Sequence, residues 1–237
     1  MGAALGWGAL AASSLVIGVL LAFVRQWSPV AIGLILAFGA GALISAVSLE
    51  LAEEGIAVGS PAAVGIGLAL GALTYFIADG LIARHDKPAP GTSGGGSGTS
   101  LALGSFLDGV PEQAVLGIGL AGGDPVSVAL LVAIFVSNLP EGIGAGVDMQ
   151  AGGMARGQIL KLFLAVGVVC TLSSGAGYAI ADSISGDFQA GVNGFAAGAL
   201  LVMLIDSMIP ESREKARRPA GLLAVVGFAV ATALSNL

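Results

Sequence analysis

Long apolar runs, separated by short polar or glycine-rich breaks, dominate the pattern of this chain. Eight of these runs have about the length, roughly 20 residues, that an α-helix needs to cross a bilayer. The breaks include RQWSP, GGDP and PESREKARRP, where charge, proline or glycine interrupts the apolar pattern. The pattern therefore predicts an all-α integral membrane protein with eight transmembrane helices. The predicted spans are about residues 3–24, 30–52, 61–83, 99–122, 125–148, 157–181, 188–209 and 218–236.

The composition agrees with this interpretation. Hydrophobic residues make up 56% of the 237 residues and charged residues only 10%, whereas soluble chains carry about 25% charged residues. The 39 glycines predict closely packed helices, since small residues let membrane helices approach each other. Because eight spans and short loops fill the length, we expect a single transmembrane domain over residues 1–237. The Gly- and Ser-rich loop at 84–98 is predicted to be flexible and cytoplasmic.

The basic residues indicate how the predicted spans are oriented. All nine Lys and Arg residues lie in or beside the odd-numbered loops, whereas the even-numbered loops carry acidic residues and no Lys or Arg. Basic loops stay on the cytoplasmic side, so both termini are predicted to be extracytoplasmic. We expect a multi-pass protein of the cytoplasmic membrane, which is the inner membrane where a cell has two. The acidic outer side either concentrates cations or merely lacks basic residues.

Composition and motifs also argue against several classes of function. The net charge of −6 leaves no broad basic surface for nucleic acid. The Gly-rich stretch at 91–98 lacks the Lys-Ser/Thr pair of a phosphate-binding loop, and no hydrolytic triad is apparent. The single cysteine, Cys170, excludes an intrachain disulfide. We therefore expect no enzyme activity, no required cofactor and no nucleic-acid partner.

The second and seventh predicted spans share a sequence pattern. FGAGALI at residues 38–44 is similar to FAAGALL at residues 195–201, and a glutamate follows each phenylalanine by sixteen residues, at Glu54 and Glu211. The two spans are predicted to cross in opposite directions. Inverted repeats are a recurrent feature of transporters, whose substrate sites lie near the midplane. The match predicts a 3+2+3 inverted-repeat bundle with spans 4 and 5 at its centre, unless it reflects only a shared packing motif.

Each span of the predicted central pair contains a proline followed by a glutamate. Proline removes a backbone hydrogen bond and clashes with the preceding helical turn. Unsatisfied backbone at membrane depth is tolerated only inside a protein or beside a water-lined cavity. Pro111 and Pro140 therefore predict irregular helices around a polar cavity.

Polar side chains surround both prolines, and antiparallel neighbours would bring them to nearly the same depth, within about 3 Å. An acid inside a membrane costs about 2.5–3.5 kcal/mol. Three acids with no Lys or Arg at that depth must be protonated or must bind a cation. A divalent metal suits the converging oxygen ligands, whereas protonated acids that bridge helices are the structural alternative. The candidate ligands are Asp108, Glu112, Ser137, Asn138 and Glu141.

At these residues the chain resembles the ZIP (Zrt/Irt-like) family of divalent metal transporters. The family pattern is His-Asn-x-Pro-Glu-Gly in each of spans 4 and 5; here span 5 has SNLPEG at 137–142 and span 4 has DGVPEQ at 108–113. FGAGALISAVSLELAEE in span 2 and FAAGALLVMLIDSMIPES in span 7 are also similar to their family counterparts. The resemblance extends over essentially the whole chain.

The resemblance implies a prokaryotic-type ZIP fold, often dimeric, with a binuclear metal site between spans 4 and 5 and a further ligand from span 6. It implies that Zn²⁺, first of all, and also Fe²⁺, Mn²⁺ or Cd²⁺ are substrates carried into the cytoplasm. The residues at the first metal position would be Asp108, Glu112, Ser137 and Glu141. Those at the second would be Gly109, Glu112, Asn138 and Glu141, with Cys170 from span 6.

Several positions depart from the family pattern. The histidines of both motifs are absent, and Gly109 has no side chain where the family has asparagine. An all-oxygen site favours Mn²⁺, Fe²⁺ or Mg²⁺-like ions relative to a site rich in imidazole. Cys170 takes the place of an acid, either as a thiolate ligand or as a small buried hydrophobe. Asp206, in span 7, is a tentative marker of the exit path.

These patterns support a divalent-metal transporter as the first hypothesis, with the lipid bilayer and the metal ions as its partners and a homodimer as a further expectation. The alternative is a non-transporting membrane metal sensor or scaffold with a degenerate site. A third hypothesis is a proton-linked carrier for a small organic cation.

Overall fold

The computed structural model describes residues 1–85, 98–121 and 128–234. All regular structure in these ranges is helical, so the prediction of a helical protein is confirmed. The predicted flexible loop at 84–98 lies, apart from its ends, outside the described residues. The α-helices are α1 (Gly2–Val24), α2 (Pro29–Ser45), α3 (Glu54–Val58), α4 (Pro61–His85), α5 (Gly98–Ala121), α6 (Val128–Ala151), α7 (Arg156–Ile180), α8 (Gly186–Met203), α9 (Ile209–Ala216) and α10 (Pro219–Leu234).

Five of the described helical stretches are long and apolar enough to cross a membrane: Gly2–Val24, Pro29–Val58, Pro61–Leu81, Arg156–Ser183 and Gly186–Ala216. Helix α10 is apolar but shorter. Large apolar side chains are exposed on the outside of these helices, as at Phe76 (65% exposed) and Leu222 (72% exposed). Lipid covers such surfaces in a bilayer. The structure is therefore that of a helical multi-pass membrane protein.

The helices that contain the prolines are not irregular, so that expectation is wrong. Helices α5 and α6 stay α-helical through Pro111 and Pro140. Neighbouring helices close around both positions. The Ser173 hydroxyl on α7 donates to the Val110 carbonyl oxygen at 2.6 Å, and Pro140 packs against Gly39 on α2, where a Cβ atom would lie 2.8 Å from the proline Cβ. Membrane helices tolerate proline where neighbouring helices enclose it.

The irregular backbone occurs instead in two π-helical segments. One, Ala46–Glu53, joins α2 to α3, and the other, Leu204–Met208, joins α8 to α9. Each follows one of the two similar motifs at 38–44 and 195–201. A π-helical turn widens the helix and is frequent at functional sites. The two helices with the shared sequence pattern thus share a rare local structure as well.

The beginnings of these two helices are capped in the same way. The Ser28 hydroxyl accepts a hydrogen bond from the Ala31 backbone amide, and Ser185 accepts one from the Phe188 amide. Such a cap satisfies one of the amides that have no partner inside the helix. The two serines are 157 residues apart, the same spacing that separates the two motifs.

Close glycine contacts repeat at this spacing too. A Cβ atom at Gly41 would lie 1.8 Å from the Ala224 carbonyl oxygen on α10, and one at Gly198 would lie 2.1 Å from the Leu68 carbonyl oxygen on α4. No side chain fits at either distance, so only glycine allows these backbones to touch. Helix α2 therefore packs on α10 as α8 packs on α4.

The helices form two packed groups. The first bundle consists of α1, α5, α6 and α7, and the second bundle consists of α2, α3, α4, α8, α9 and α10. The two bundles meet mainly where α6 packs on α2 and where α5 packs on α8. Helices α5 and α6, which carry Pro111-Glu112 and Pro140-Glu141, therefore belong to the first bundle and face the second.

Candidate functional site

Three of the predicted ligands are buried in the middle of α5 and α6. Glu112 and Glu141 are each 1% exposed and Asn138 is 2% exposed. The Asn138 Oδ1 atom has no hydrogen-bond partner among the described residues. No Lys or Arg occurs between residues 88 and 155. Because burying a charge is costly unless it is paired, ionised carboxylates at these positions would need a cation or hydrogen-bond donors beside them.

The other two predicted ligands complete the sequence motifs. The helical backbones of α5 and α6 include Asp108 and Ser137, but their side chains lie outside the described part of the structure. Among the side chains that are described, no three His, Cys, Asp or Glu residues lie close enough together to hold a metal ion. The first metal position therefore stays a prediction.

A residue that the sequence patterns did not single out contacts Glu141. The Ser105 hydroxyl on α5 donates a hydrogen bond of 2.9 Å to Glu141 Oε2, and both residues are buried. Ser105 precedes Glu112 by seven residues, which is two helical turns or about 10 Å along the axis. This contact links α5 to α6. The only signal in the sequence is the two-turn spacing, which puts Ser105 and Glu112 on similar faces of α5.

Two residues that the resemblance assigns to the second metal position, Gly109 and Cys170, lie next to each other in the structure. Cys170 is 1% exposed, and its Sγ atom lies 2.9 Å from the place that a Cβ atom at Gly109 would occupy. A side chain at position 109 would therefore displace the thiol. The two departures from the family pattern are physically linked, because the glycine makes the space that the cysteine fills.

Asp206 lies apart from the buried carboxyls. Its side chain is exposed, as is that of Ile205 (63%), whereas Ser207 and Met208, the next two residues of the π-helical segment, are buried. The π-helical segment Leu204–Met208 thus turns Asp206 toward the outside of the molecule. The structure does not join it to Glu112 and Glu141.

A second polar cluster lies at the ends of α6 and α9. Lys215 Nζ donates to Asp148 Oδ1 at 3.1 Å and to a carboxylate oxygen of Glu211. Glu211 is only 6% exposed. The spacing of four residues between Glu211 and Lys215 is a recognisable signal in the sequence. No spacing relates Asp148 to them, because it reaches the cluster from another helix.

A scan against protein-family models and a search of curated proteins find no match for this chain.

Proposed function

We propose that this protein transports divalent metal cations into the cytoplasm, with Zn²⁺ as the first candidate substrate and Fe²⁺, Mn²⁺ and Cd²⁺ as others. The observation that carries the proposal is the burial of Glu112, Asn138 and Glu141 within two adjacent helices that lack any Lys or Arg. Carboxylate and amide oxygens are ligands for divalent ions. The likeness of these motifs to the ZIP family gives the same substrate class.

We extend the proposal to the topology: eight spans in a 3+2+3 inverted-repeat bundle of the cytoplasmic membrane, with both termini extracytoplasmic. The paired serine caps, the paired glycine contacts and the two π-helical segments support this arrangement. In such a fold the first bundle would move against the second and expose the site to one side of the membrane at a time. The apolar exterior would face lipid or, in a homodimer, a second copy.

The hydrogen bond between Ser105 and Glu141 suggests how the buried Glu141 carboxyl is stabilised when no cation is bound. A buried carboxyl needs a hydrogen bond when no metal is bound, and the serine hydroxyl provides one. In our proposal, Glu141 leaves Ser105 when a cation binds between α5 and α6. Asp108 and Ser137 would complete the ligands, and Cys170 lies beside the second metal position.

Uptake of radiolabelled metal into proteoliposomes tests this function. We expect Glu141→Gln and Glu112→Gln to lower the uptake rate by at least about tenfold, since even a residue that only supports a metal ligand is worth that much. Glu53→Gln is a matched control, because Glu53 is exposed and should keep the wild-type rate. Equal uptake by wild type and both site variants, for every metal tried, would contradict the proposal.

The departures at Gly109 and Cys170 favour one alternative, a metal sensor or scaffold that has lost transport. It predicts saturable metal binding by purified protein, abolished in Glu141→Gln, with no flux into proteoliposomes. Flux that depends on Glu141 would exclude it. We propose transport or sensing rather than catalysis.

A further inference from the structure

An ion-pair cluster outside the candidate metal site bridges the two bundles. Asp148 lies on α6 in the first bundle, and Lys215 and Glu211 lie on α9 in the second. Lys215 and Asp148 are each 23% exposed at the side chain, so the pair is largely shielded from solvent. In the part of the chain that the structure describes, no other salt bridge joins the two bundles. A shielded ion pair is screened less by salt than an exposed one.

Each partner is anchored firmly within its own bundle. On α9, the Lys215 Cβ atom and the Ala216 backbone pack against Gly33 of α2, where an added Cβ atom would lie 2.8 Å and 2.6 Å away from them. Near Asp148, the Gln150 side chain donates to the Ala22 carbonyl oxygen on α1 at 3.3 Å. A relative movement of the bundles would therefore pull the lysine away from Asp148 instead of carrying both along.

Among the described residues, the positions related to this cluster at the opposite end of the bundle interface do not repeat its ion pairs. The spacing of 157 residues relates Glu211 to Glu54 and Lys215 to position 58, which is Val58. The Pro-Glu pairs of α5 and α6 are 29 residues apart, and this spacing relates Asp148 to Gly119. Valine and glycine cannot form an ion pair. In the described part of the chain, this ion-pair bridge therefore occurs only at the end of the interface that the basic residues predict to be cytoplasmic.

We propose that Lys215 is a latch: its ion pair with Asp148 holds the bundles together at the cytoplasmic end and must break before the site opens to the cytoplasm. This inference rests on the proposed transport function. Glu211 keeps the ammonium in place while the latch is open, because it belongs to the same helix as Lys215. The latch sets how often the protein opens inward, and it acts without touching the transported cation.

The native cysteine offers a direct test. Cys170 is the only cysteine in the chain and lies beside the candidate site, so its reaction with a membrane-impermeant thiol reagent reports when the site opens. In inside-out vesicles, we expect Lys215→Met and Asp148→Asn each to raise the rate of Cys170 modification by about fivefold, which is about 1 kcal/mol at 1.4 kcal/mol per factor of ten. The double variant should react no faster than the single ones, since both remove one interaction.

Two controls separate a latch from a general loosening of the protein. Exchanging the charges, Asp148→Lys with Lys215→Asp, rebuilds a bridge in which the new lysine faces two carboxylates, and it should restore the wild-type rate. In right-side-out vesicles, Lys215→Met and Asp148→Asn should not raise the rate of Cys170 modification. Unchanged modification in inside-out vesicles, equal increases from both sides or additive increases in the double variant would each overturn the latch.

The same variants distinguish failure of the latch from failure of the proposed function. If uptake depends on Glu141 but the Lys215 and Asp148 variants leave Cys170 reactivity unchanged, the transport proposal stands and the latch does not. If Cys170 reactivity responds as expected but no variant changes metal flux because there is none, the latch stands as a conformational lock in a protein that does not transport metal.

Discussion

The two ends of the bundle interface have similar backbones but different chemistry. At one end the π-helical segment of the second half leads into Glu211 and Lys215, which meet Asp148 from the first bundle. At the related end the π-helical segment of the first half leads into Glu54 and Val58, and the position that corresponds to Asp148 is a glycine. One end holds the Lys215 ammonium between two carboxylates, whereas the related positions at the other end supply neither a lysine nor an aspartate, and the carboxylate near Glu54 is that of Glu50.

The difference indicates how the proposed inverted-repeat transporter would favour opening to one side of the membrane over the other. A fold built from two similar halves opens as easily to one side as to the other if its side chains also match. Charges that bridge the bundles at one end only make the two openings unequal in free energy. In the proposed transporter, the three side chains at the end of α6 and in α9 would do this without any change to the backbone repeat.

The largest loss of stability should follow from substituting the two glycines at which helix backbones touch. We expect Gly41→Ala and Gly198→Ala each to destabilise the protein by about 3 kcal/mol or more, since overpacking costs about 1–3 kcal/mol where side chains can yield and here backbone atoms lie within 2.1 Å of the new methyl group. Thermal unfolding in detergent measures the loss. Gly65→Ala on α4 and Gly221→Ala on α10 are matched controls, because nothing lies within 4 Å of a Cβ atom there.

The two glycine variants also test whether the halves are equivalent. Similar losses of stability at Gly41 and Gly198 would support the inverted repeat. A large loss at one position and none at the other would show that the two contacts do not play corresponding roles.

A smaller loss of stability is expected from removing the Lys215 ammonium group. Lys215→Met leaves the buried Glu211 and the half-buried Asp148 without their ammonium partner, and an unsatisfied buried group costs about 1–3 kcal/mol. We expect a loss of about 2 kcal/mol in unfolding free energy at neutral pH. Lys161→Met removes an exposed lysine from α7 and serves as the control. Equal stability of these two variants would mean that the ion pairs contribute nothing to the fold.

The smallest effect should come from building a bridge at the other end. Val58→Lys with Gly119→Asp puts a lysine four residues after Glu54 and a carboxylate on the related face of α5, where a Cβ atom meets no neighbour. Because Val58 is 37% exposed, the new pair should be worth no more than about 1 kcal/mol. We expect metal uptake to fall by up to about fivefold in the double variant, and less in either single variant. Faster uptake would contradict the idea that a bridge restrains opening.

Much of the helical structure could be predicted because its signals are local. Apolar runs and the polar, proline and glycine breaks between them predicted the helices to within a few residues, although the structure extends the second and seventh to Val58 and Ala216. The expected irregularity at Pro111 and Pro140 was wrong, because the neighbours that enclose these prolines belong to distant parts of the chain. The π-helical segments had no signal in single residues beyond the repeated motif that precedes them.

Some features of the candidate site could likewise be predicted from the sequence, and others depend on the fold. That Glu112, Asn138 and Glu141 are buried follows from their place in apolar helices, so pattern analysis could single them out. The hydrogen bond from Ser105 to Glu141 depends on the register between α5 and α6, which no spacing along the chain records. For Cys170 the sequence left two roles open, and the fold adds that Gly109 makes the space for its thiol.

The sequence by itself determined that this chain is helical and apolar, that two segments 157 residues apart are alike, and that its central helices carry carboxyls but no Lys or Arg. These properties depend on periodicity and composition, which each segment carries within itself. Only the tertiary structure decided which helices share a bundle, that Gly109 faces Cys170, and that Lys215 joins Asp148 across the bundle interface. Such pairs are set by helix packing, because residues far apart in the chain meet only when whole helices dock at one register.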